Sequence, residues 1–178
     1  ATKRRRLRPL RAGDARPMQA YASDWDVARM LALVPHPYPD GEAEAFVEDM
    51  ARAPDDEVPW HVFAIDHDGF IGTLGITSEN GFATDPVGVG YWIGKPFWGR
   101  GLMSEALEAV LRAYVFGTLG MGVVTSGMYA DNPASLRVQE KLGFVRVGEG
   151  PKYCLARRGD APHIDTRLTR AAFEQATA

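Results

Sequence analysis

Between residues 87 and 107 the chain changes its hydrophobic period once, abruptly, at a glycine-rich turn. VGVGYWI reads as a short strand. GKPFWGRG follows, and then a run with Met103, Leu107, Val110, Leu111 and Tyr114 on one helical stripe. A strand that feeds a long helix through such a turn leaves unpaired backbone N–H groups at the helix start, where an anion is favoured. Gly99 and Gly101 let the main chain come close to a ligand and adopt positive φ. A diphosphate suits both features. The spacing is no dinucleotide fingerprint, because Ser104 stands where the third glycine would be, and no Lys-Ser/Thr pair follows as in a P-loop.

A second block, DNPASLRVQEKLGF at 131–144, reads as a capped helix followed by a strand. Asn132 is the expected N-cap, Pro133 the first helical residue and Gly143 the residue that ends the helix. Ser135 gains the helix little at the third position. Its hydroxyl would stand near the helix start, where a developing negative charge is favoured, and it is the candidate catalytic residue.

The rest of the chain frames these blocks. Residues 3–10 read as a first strand, 15–23 as a helix with Asp14 as N-cap, and 40–51 as a helix with Ala43, Phe46, Val47 and Met50 on one face. Three prolines between 34 and 39 exclude helix there. Residues 60–65 and 70–77 form a hairpin over His67, Asp68 and Gly69. A polar loop (78–86) precedes the strand 87–93. The long helix is expected over 100–119, then a strand at 123–129, a helix at 133–142, an interrupted strand at 144–155, a strand at 163–169 and a last helix at 170–176. The 178 residues fit one mixed α/β domain, 1–178.

Bulk composition excludes several classes. A net charge of −3 gives no field towards nucleic acid or anionic membrane. The basic cluster Lys3, Arg4, Arg5, Arg6, Arg8 and Arg11 is read as a solvated face of the first strand. The single cysteine, Cys154, excludes an internal disulfide and a cysteine-rich zinc site, and four scattered histidines without ligand spacing make no metal site. No apolar run approaches a membrane span, and the basic N-terminus has no apolar core behind it, so cytoplasmic residence is expected.

WGRGLMSEAL resembles the acetyl-CoA pyrophosphate loop of the GNAT N-acetyltransferases, and NPASLRVQEKLGF resembles their second motif. With the opening RRRLRPLRAGDA, the central GFIGTLGI and the GYWI before the loop, the pattern is similar to the Rim-type branch, which acetylates ribosomal-protein N-termini. The resemblance implies a GNAT fold: about seven mostly antiparallel strands flanked by helices, with two splayed central strands, 87–93 and 123–129. It implies acetyl-CoA as cosubstrate and no metal. Pantetheine would pair with the exposed edge at Tyr91, Trp92 and Ile93. The amides of Trp98, Gly99, Arg100, Gly101, Leu102, Met103 and Ser104 would hold the pyrophosphate, and Asn132 would bond the pantetheine arm. Ser135 matches the Rim-type serine that would stabilise the departing thiolate. The partner is an amine-bearing small molecule or a protein N-terminus, with Tyr38, His61 and Tyr91 as substrate-contact candidates and the protein a monomer or homodimer.

Two departures matter. Gln139 stands where many relatives carry a proton-donating tyrosine, and Gly88 where the family often has glutamate as base. Without a base, an α-amine with a pKa of about 8 is still roughly 10% neutral at pH 7, whereas a lysine amine is neutral in about one molecule in 2,500. A low-pKa amine is therefore the expected acceptor unless His61, Glu79 or His163 supplies the base. A catalytically silent acyl-CoA sensor of the same fold is the alternative.

Overall fold

The computed structural model describes residues 6–52, 60–78, 81, 82 and 84–178. Lys3, Arg4, Arg5 and Glu79, named above, lie outside the described residues. The elements are β1 (Arg6–Pro9), α1 (Ala15–Ala22), α2 (Trp25–Ala28), α3 (Glu42–Arg52), β2 (Trp60–Asp66), β3 (Phe70–Thr77), β4 (Val87–Ile93), α4 (Leu102–Val110), β5 (Val123–Tyr129), α5 (Pro133–Lys141), β6 (Val145–Cys154), β7 (Gly159–Thr169) and α6 (Arg170–Ala176). They build one seven-stranded sheet in the order β1-β2-β3-β4-β5-β7-β6. Every neighbouring pair is antiparallel except β4 and β5. This is the mixed, splayed sheet expected above.

Strand alternation divides the apolar residues between two layers. On one face, Ile76, Val89 and Val124 pack against Leu107 of α4, Leu111 just beyond it and Phe173 of α6. On the other, Ala64, Phe70 and Trp92 meet Met18 of α1 and Val47 of α3, while Tyr129 and Cys154 meet Ala28 of α2. Cys154 is fully buried, its Sγ 3.5 Å from the Leu31 carbonyl oxygen.

Four expectations need correction. The helix expected over 100–119 begins only at Leu102, because Gly99 and Gly101 both sit at φ +72°. From Leu111 to Thr118 it widens into a π-helical segment, in which the Leu119 amide reaches back five residues to Tyr114. Asp14 makes no side-chain cap for α1. Its carboxylate instead accepts from Arg8 Nη1 and Nη2 (2.7 and 2.8 Å) and from the Arg11 amide (2.8 Å). Arg8 is therefore no solvated charge: it is 8% exposed and also donates from Nε to Asp66 at 2.9 Å. The last strand starts at Gly159 rather than 163, and its Pro162 stands opposite Pro151 of the edge strand β6, where a missing amide donor costs least.

The central parallel pair positions the site. β4 and β5 pair only at Val87 with Val124 and Gly88 with Thr125. Asp85 clamps this vertex by accepting from the amides of Gly122 (2.9 Å) and Val123 (3.1 Å). Beyond it Ser126 Oγ still donates to the Val89 carbonyl at 2.8 Å, and then the strands part.

Candidate active site

Because β4 and β5 run parallel, both carboxyl ends lie at the open mouth of the V. Each leads into a helix, so two helix N-termini face the gap. Such a crevice beyond the carboxyl ends of parallel strands is where open α/β sheets bind ligands. Among the described residues the β4 edge from Gly90 to Ile93 has no backbone partner on the gap side.

The first helix start is the glycine loop. Gly101 is the N-cap residue of α4, and a Cβ added at Gly99 or Gly101 would meet nothing within 4 Å, so space remains beside the main chain for a ligand. Helix geometry leaves the amides of Leu102, Met103 and Ser104 without an intrahelical acceptor. Leu102 and Met103 bury their side chains in the core, which pins the turn and leaves only their backbone to the ligand. Trp98 is exposed and donates its indole N–H to the Ile93 carbonyl at 2.7 Å, tying the loop to the end of β4. Arg100 Nη2 lies 3.3 Å from His67 Nε2 at the β2–β3 turn.

The second helix start belongs to α5. Asn132 Oδ1 accepts from the Ser135 amide at 3.1 Å, the cap expected from sequence. Ser135 Oγ lies 2.9 Å from the Tyr91 hydroxyl, which crosses the gap from β4. Burial pushes the Tyr91 hydroxyl above its ordinary range, against hydrogen bonds from Ser135 and Gln139 that favour the charged form. Gln139, fully buried, donates from Nε2 to Ser126 Oγ at 2.9 Å and accepts at Oε1 from Thr166 at 2.6 Å. Gln139 stands at the position of the relatives' tyrosine, but nothing in the sequence tied it to Ser126, which carried no signal as a site residue. A lone serine inside a central strand was the available hint.

The substrate-contact candidates do not converge. Tyr91 faces α5. Tyr38 and Trp92 share the cluster on the opposite face, under α1 and α3. His61 lies on the Tyr91 face but at the far end of the row His61–Ile76–Val89. There it stacks on Phe82 with ring centres 3.9 Å apart, and its Nδ1 bonds the Tyr114 hydroxyl.

The base position is closed in this chain. A Cβ at Gly88 would run into Thr77 Oγ1, so the space a carboxylate would need is occupied. His163 is different. Gly127 of β5 leaves room for its imidazole, whose Nε2 lies 3.0 Å from where a Gly127 Cβ would stand. Its Nδ1 is 3.1 Å from Asp165 Oδ1. Burial, and then Lys152, hold the imidazole below its ordinary value against the pull of Asp165, so it is neutral at pH 7. Among the described residues no group of three or more potential metal ligands comes together.

Comparison with known proteins fits this geometry. The family model described as an acetyltransferase (GNAT) domain matches residues 4–145. A probable N-acetyltransferase of Bacillus subtilis, YjcK, is 32% identical over 94 residues, covering 53% of this chain and 51% of that protein. The chain thus spans about half the length of that relative. Among solved structures, Mycobacterium smegmatis RimJ in complex with CoA-disulfide superposes with a TM-score of 0.80 at 20% identity, covering 97% of this chain and 88% of the other. A Vibrio cholerae spermidine N-acetyltransferase in complex with CoA and spermine gives 0.78 at 17% identity, covering 97% and 99%.

Proposed function

Since the chain belongs to the GNAT acetyltransferase family, we propose that it moves the acetyl group of acetyl-CoA to a primary amine by direct attack in a ternary complex. The observation that carries this reading is the pair of hydroxyls, Tyr91 and Ser135, 2.9 Å apart at the mouth of a strand gap whose other rim is a glycine loop with free helix-start amides. The pyrophosphate is assigned to the amides of residues 98–104. Pantetheine is assigned to the unpaired edge at Tyr91, Trp92 and Ile93, with Asn132 bonding its arm. Asn132 spends Oδ1 on its cap and has no protein partner for Nδ2 among the described residues, so an N–H remains for that arm.

The chemistry needs two aids. The amine must be neutral to attack the thioester carbon, and the sulfur must leave with the bond electrons. Ser135 donates a hydrogen bond to that sulfur. A thiol pKa of about 8.5 already makes thiolate a fair leaving group, so modest help suffices. His163 is the candidate that takes the amine's proton: it is neutral, its Nδ1 is turned to Asp165, and its Nε2 lies over Gly127 beside the gap. Of the other two candidates, His61 is bonded to Tyr114 far from the gap, and Glu79 is outside the described residues. With His163 as base the acceptor need not be a low-pKa amine, and a peptide N-terminus and a polyamine, whose primary amines are as basic as lysine, are the first two classes to compare. Residues 1–178 are taken as one domain.

Calorimetry of acetyl-CoA binding, followed by thiol release with a panel of peptides and polyamines, tests the proposal. Binding with release is expected, and Ser135→Ala should lower kcat by about 10- to 100-fold with little change in acetyl-CoA affinity. Binding without release from any amine would favour the silent sensor, and no binding would sink the reading.

A further inference from the structure

Charged side chains from four separate stretches of the chain alternate in sign along one line. Lys95 Nζ lies 2.7 Å from Asp26 Oδ2, and Asp26 Oδ1 accepts from Arg29 Nε at 3.3 Å. Arg29 Nη1 donates to Asp131 Oδ2 at 3.0 Å, and Arg157 Nη2 meets both oxygens of the same carboxylate at 2.8 and 2.9 Å. The middle of the line is α2, a helix too short to persist by itself. Asp24 caps it by accepting from the Asp26 amide at 2.8 Å, and Val27 and Ala28 are buried. The ends of the line are the two rims of the strand gap. Lys95 stands just after β4, in a single turn where the Trp98 amide bonds its carbonyl at 3.2 Å, so it moves with the start of the glycine loop. Asp131 stands between β5 and Asn132, in a turn closed by the Asn132 amide on the Tyr129 carbonyl at 2.9 Å. Arg157 anchors this end: its Nε donates to the Arg29 carbonyl at 2.8 Å, and its guanidinium lies 4.9 Å from the centre of the Tyr129 ring.

We propose that this line is a clasp across the mouth of the gap, with Asp26, Arg29 and Asp131 as positioning residues that set the distance between the two helix starts that hold the cosubstrate. The proposal rests on the acetyl-CoA reading above. The sheet leaves that distance unset, because β4 and β5 share backbone pairs only at Val87 with Val124 and Gly88 with Thr125, at the closed end of the V. One extended ligand, with its pyrophosphate on residues 98–104 and its arm on Asn132, needs both rims at a fixed span. Holding that span in the empty protein removes an ordering cost from binding. Single exposed ion pairs contribute little, but charges joined in a network are the exception, and here each inner member is shared between two partners. The Asp26 carboxyl is held below its ordinary value by Lys95 first and Arg29 next, and that of Asp131 by Arg157, so both stay charged through the neutral range.

The sign of a charge removal separates a clasp from plain attraction, and the test needs no knowledge of the amine. Coenzyme A is anionic, so deleting a carboxylate near its site should tighten binding by Coulomb attraction alone. The clasp demands the opposite. By calorimetry, Asp26→Asn and Asp131→Asn should each raise the coenzyme A Kd about three- to fivefold. Asp26→Glu, which keeps the charge, should stay within about twofold of wild type. The double Asn variant should lose less than the product of the two single losses, because the first substitution already opens the line. ADP carries the pyrophosphate without the pantetheine arm and touches one rim only, so its competition constant against coenzyme A should not weaken in Asp26→Asn. A coenzyme A Kd in Asp26→Asn equal to or tighter than that of wild type would overturn the clasp and leave the acetyl-transfer reading standing. Equal weakening of ADP and coenzyme A would overturn it as well, since that reports a loosened glycine loop and not a lost span. Failure of wild type to bind coenzyme A would take down the clasp and the acetyl-transfer reading together.

Discussion

Asp14→Asn is the sharpest test of how the scaffold is held. The carboxylate takes three hydrogen bonds, two in a fork from Arg8 and one from the Arg11 amide, and both charged side chains are less than 10% exposed. Asparagine is nearly isosteric but presents one acceptor in place of two and no charge. Breaking one side of a buried pair costs about 3–5 kcal/mol. Arg8 keeps Asp66 as a second partner at 2.9 Å, so the expected loss is about 2–3 kcal/mol. With a urea slope of about 2 kcal/mol/M, the unfolding midpoint should fall by about 1–1.5 M with the slope unchanged. The pH dependence supplies a sign. Burial alone would raise the Asp14 carboxyl, but the bonds from Arg8 and Arg11 more than reverse it, so its folded value lies below its ordinary one. The stabilisation is therefore present above the unfolded value of about 3.9 and is lost as pH falls through the lower folded value. Midpoints of wild type and variant should converge below about pH 4. A gap under about 0.5 kcal/mol at pH 7, or one that stays constant down to pH 3, would refute the reasoning.

Three further outcomes follow from the site. Gly88→Glu should not install a base: its Cβ meets Thr77 Oγ1, so melting should drop by the equivalent of about 1–3 kcal/mol with no gain in turnover of lysine amines, and Thr77→Gly in the same chain should recover part of the loss. His163→Gln should lower kcat/KM at pH 7 about tenfold and abolish the acid limb. That limb should lie below about 6.5 in wild type, because the imidazole is held below its ordinary value and loses its basic form only as pH falls; an unchanged limb would remove His163 as base. Asn132→Ala should cost about 1 kcal/mol of stability through the lost α5 cap. It should also raise the acetyl-CoA Kd several-fold by calorimetry, and a Kd that does not move would detach Asn132 from the cosubstrate.

Local chemistry made most elements readable. The β2–β3 hairpin follows from alternation around His67, Asp68 and Gly69, and the α5 cap from Asn132 and Pro133, because both signals act within a few residues. The four-residue α2 left no periodic trace, and the expected strand at 163–169 omits Gly159 and Pro162 although β6 pairs with both. What stayed hidden depends on distant pairing. No local pattern says that β4 and β5 part after two pairs, or that Thr77 fills the space beside Gly88. Arg8 looked like one charge in a basic run, because Asp66 lies 58 residues away in sequence. Tyr91 and Ser135, 44 residues apart, could be named separately from their motifs, but their shared hydrogen bond required the folded sheet.

The early parting of β4 and β5 also bears on how the protein survives without its ligand. An unpaired strand edge is ordinarily a hazard at a sheet's rim, where it templates aggregation. Here two such edges lie inside the sheet and face each other, joined beyond the vertex by one serine hydroxyl. Each shields the other from a neighbouring molecule, at the cost of a seam down the middle of the fold. A ligand laid along the β4 edge closes that seam, and at a hundred times its Kd it adds about 2.7 kcal/mol to the folded state. If the proposed cosubstrate lies there, the empty protein should be the form most prone to opening and self-association, and cosubstrate supply would control how long the chain lasts as well as how fast it works.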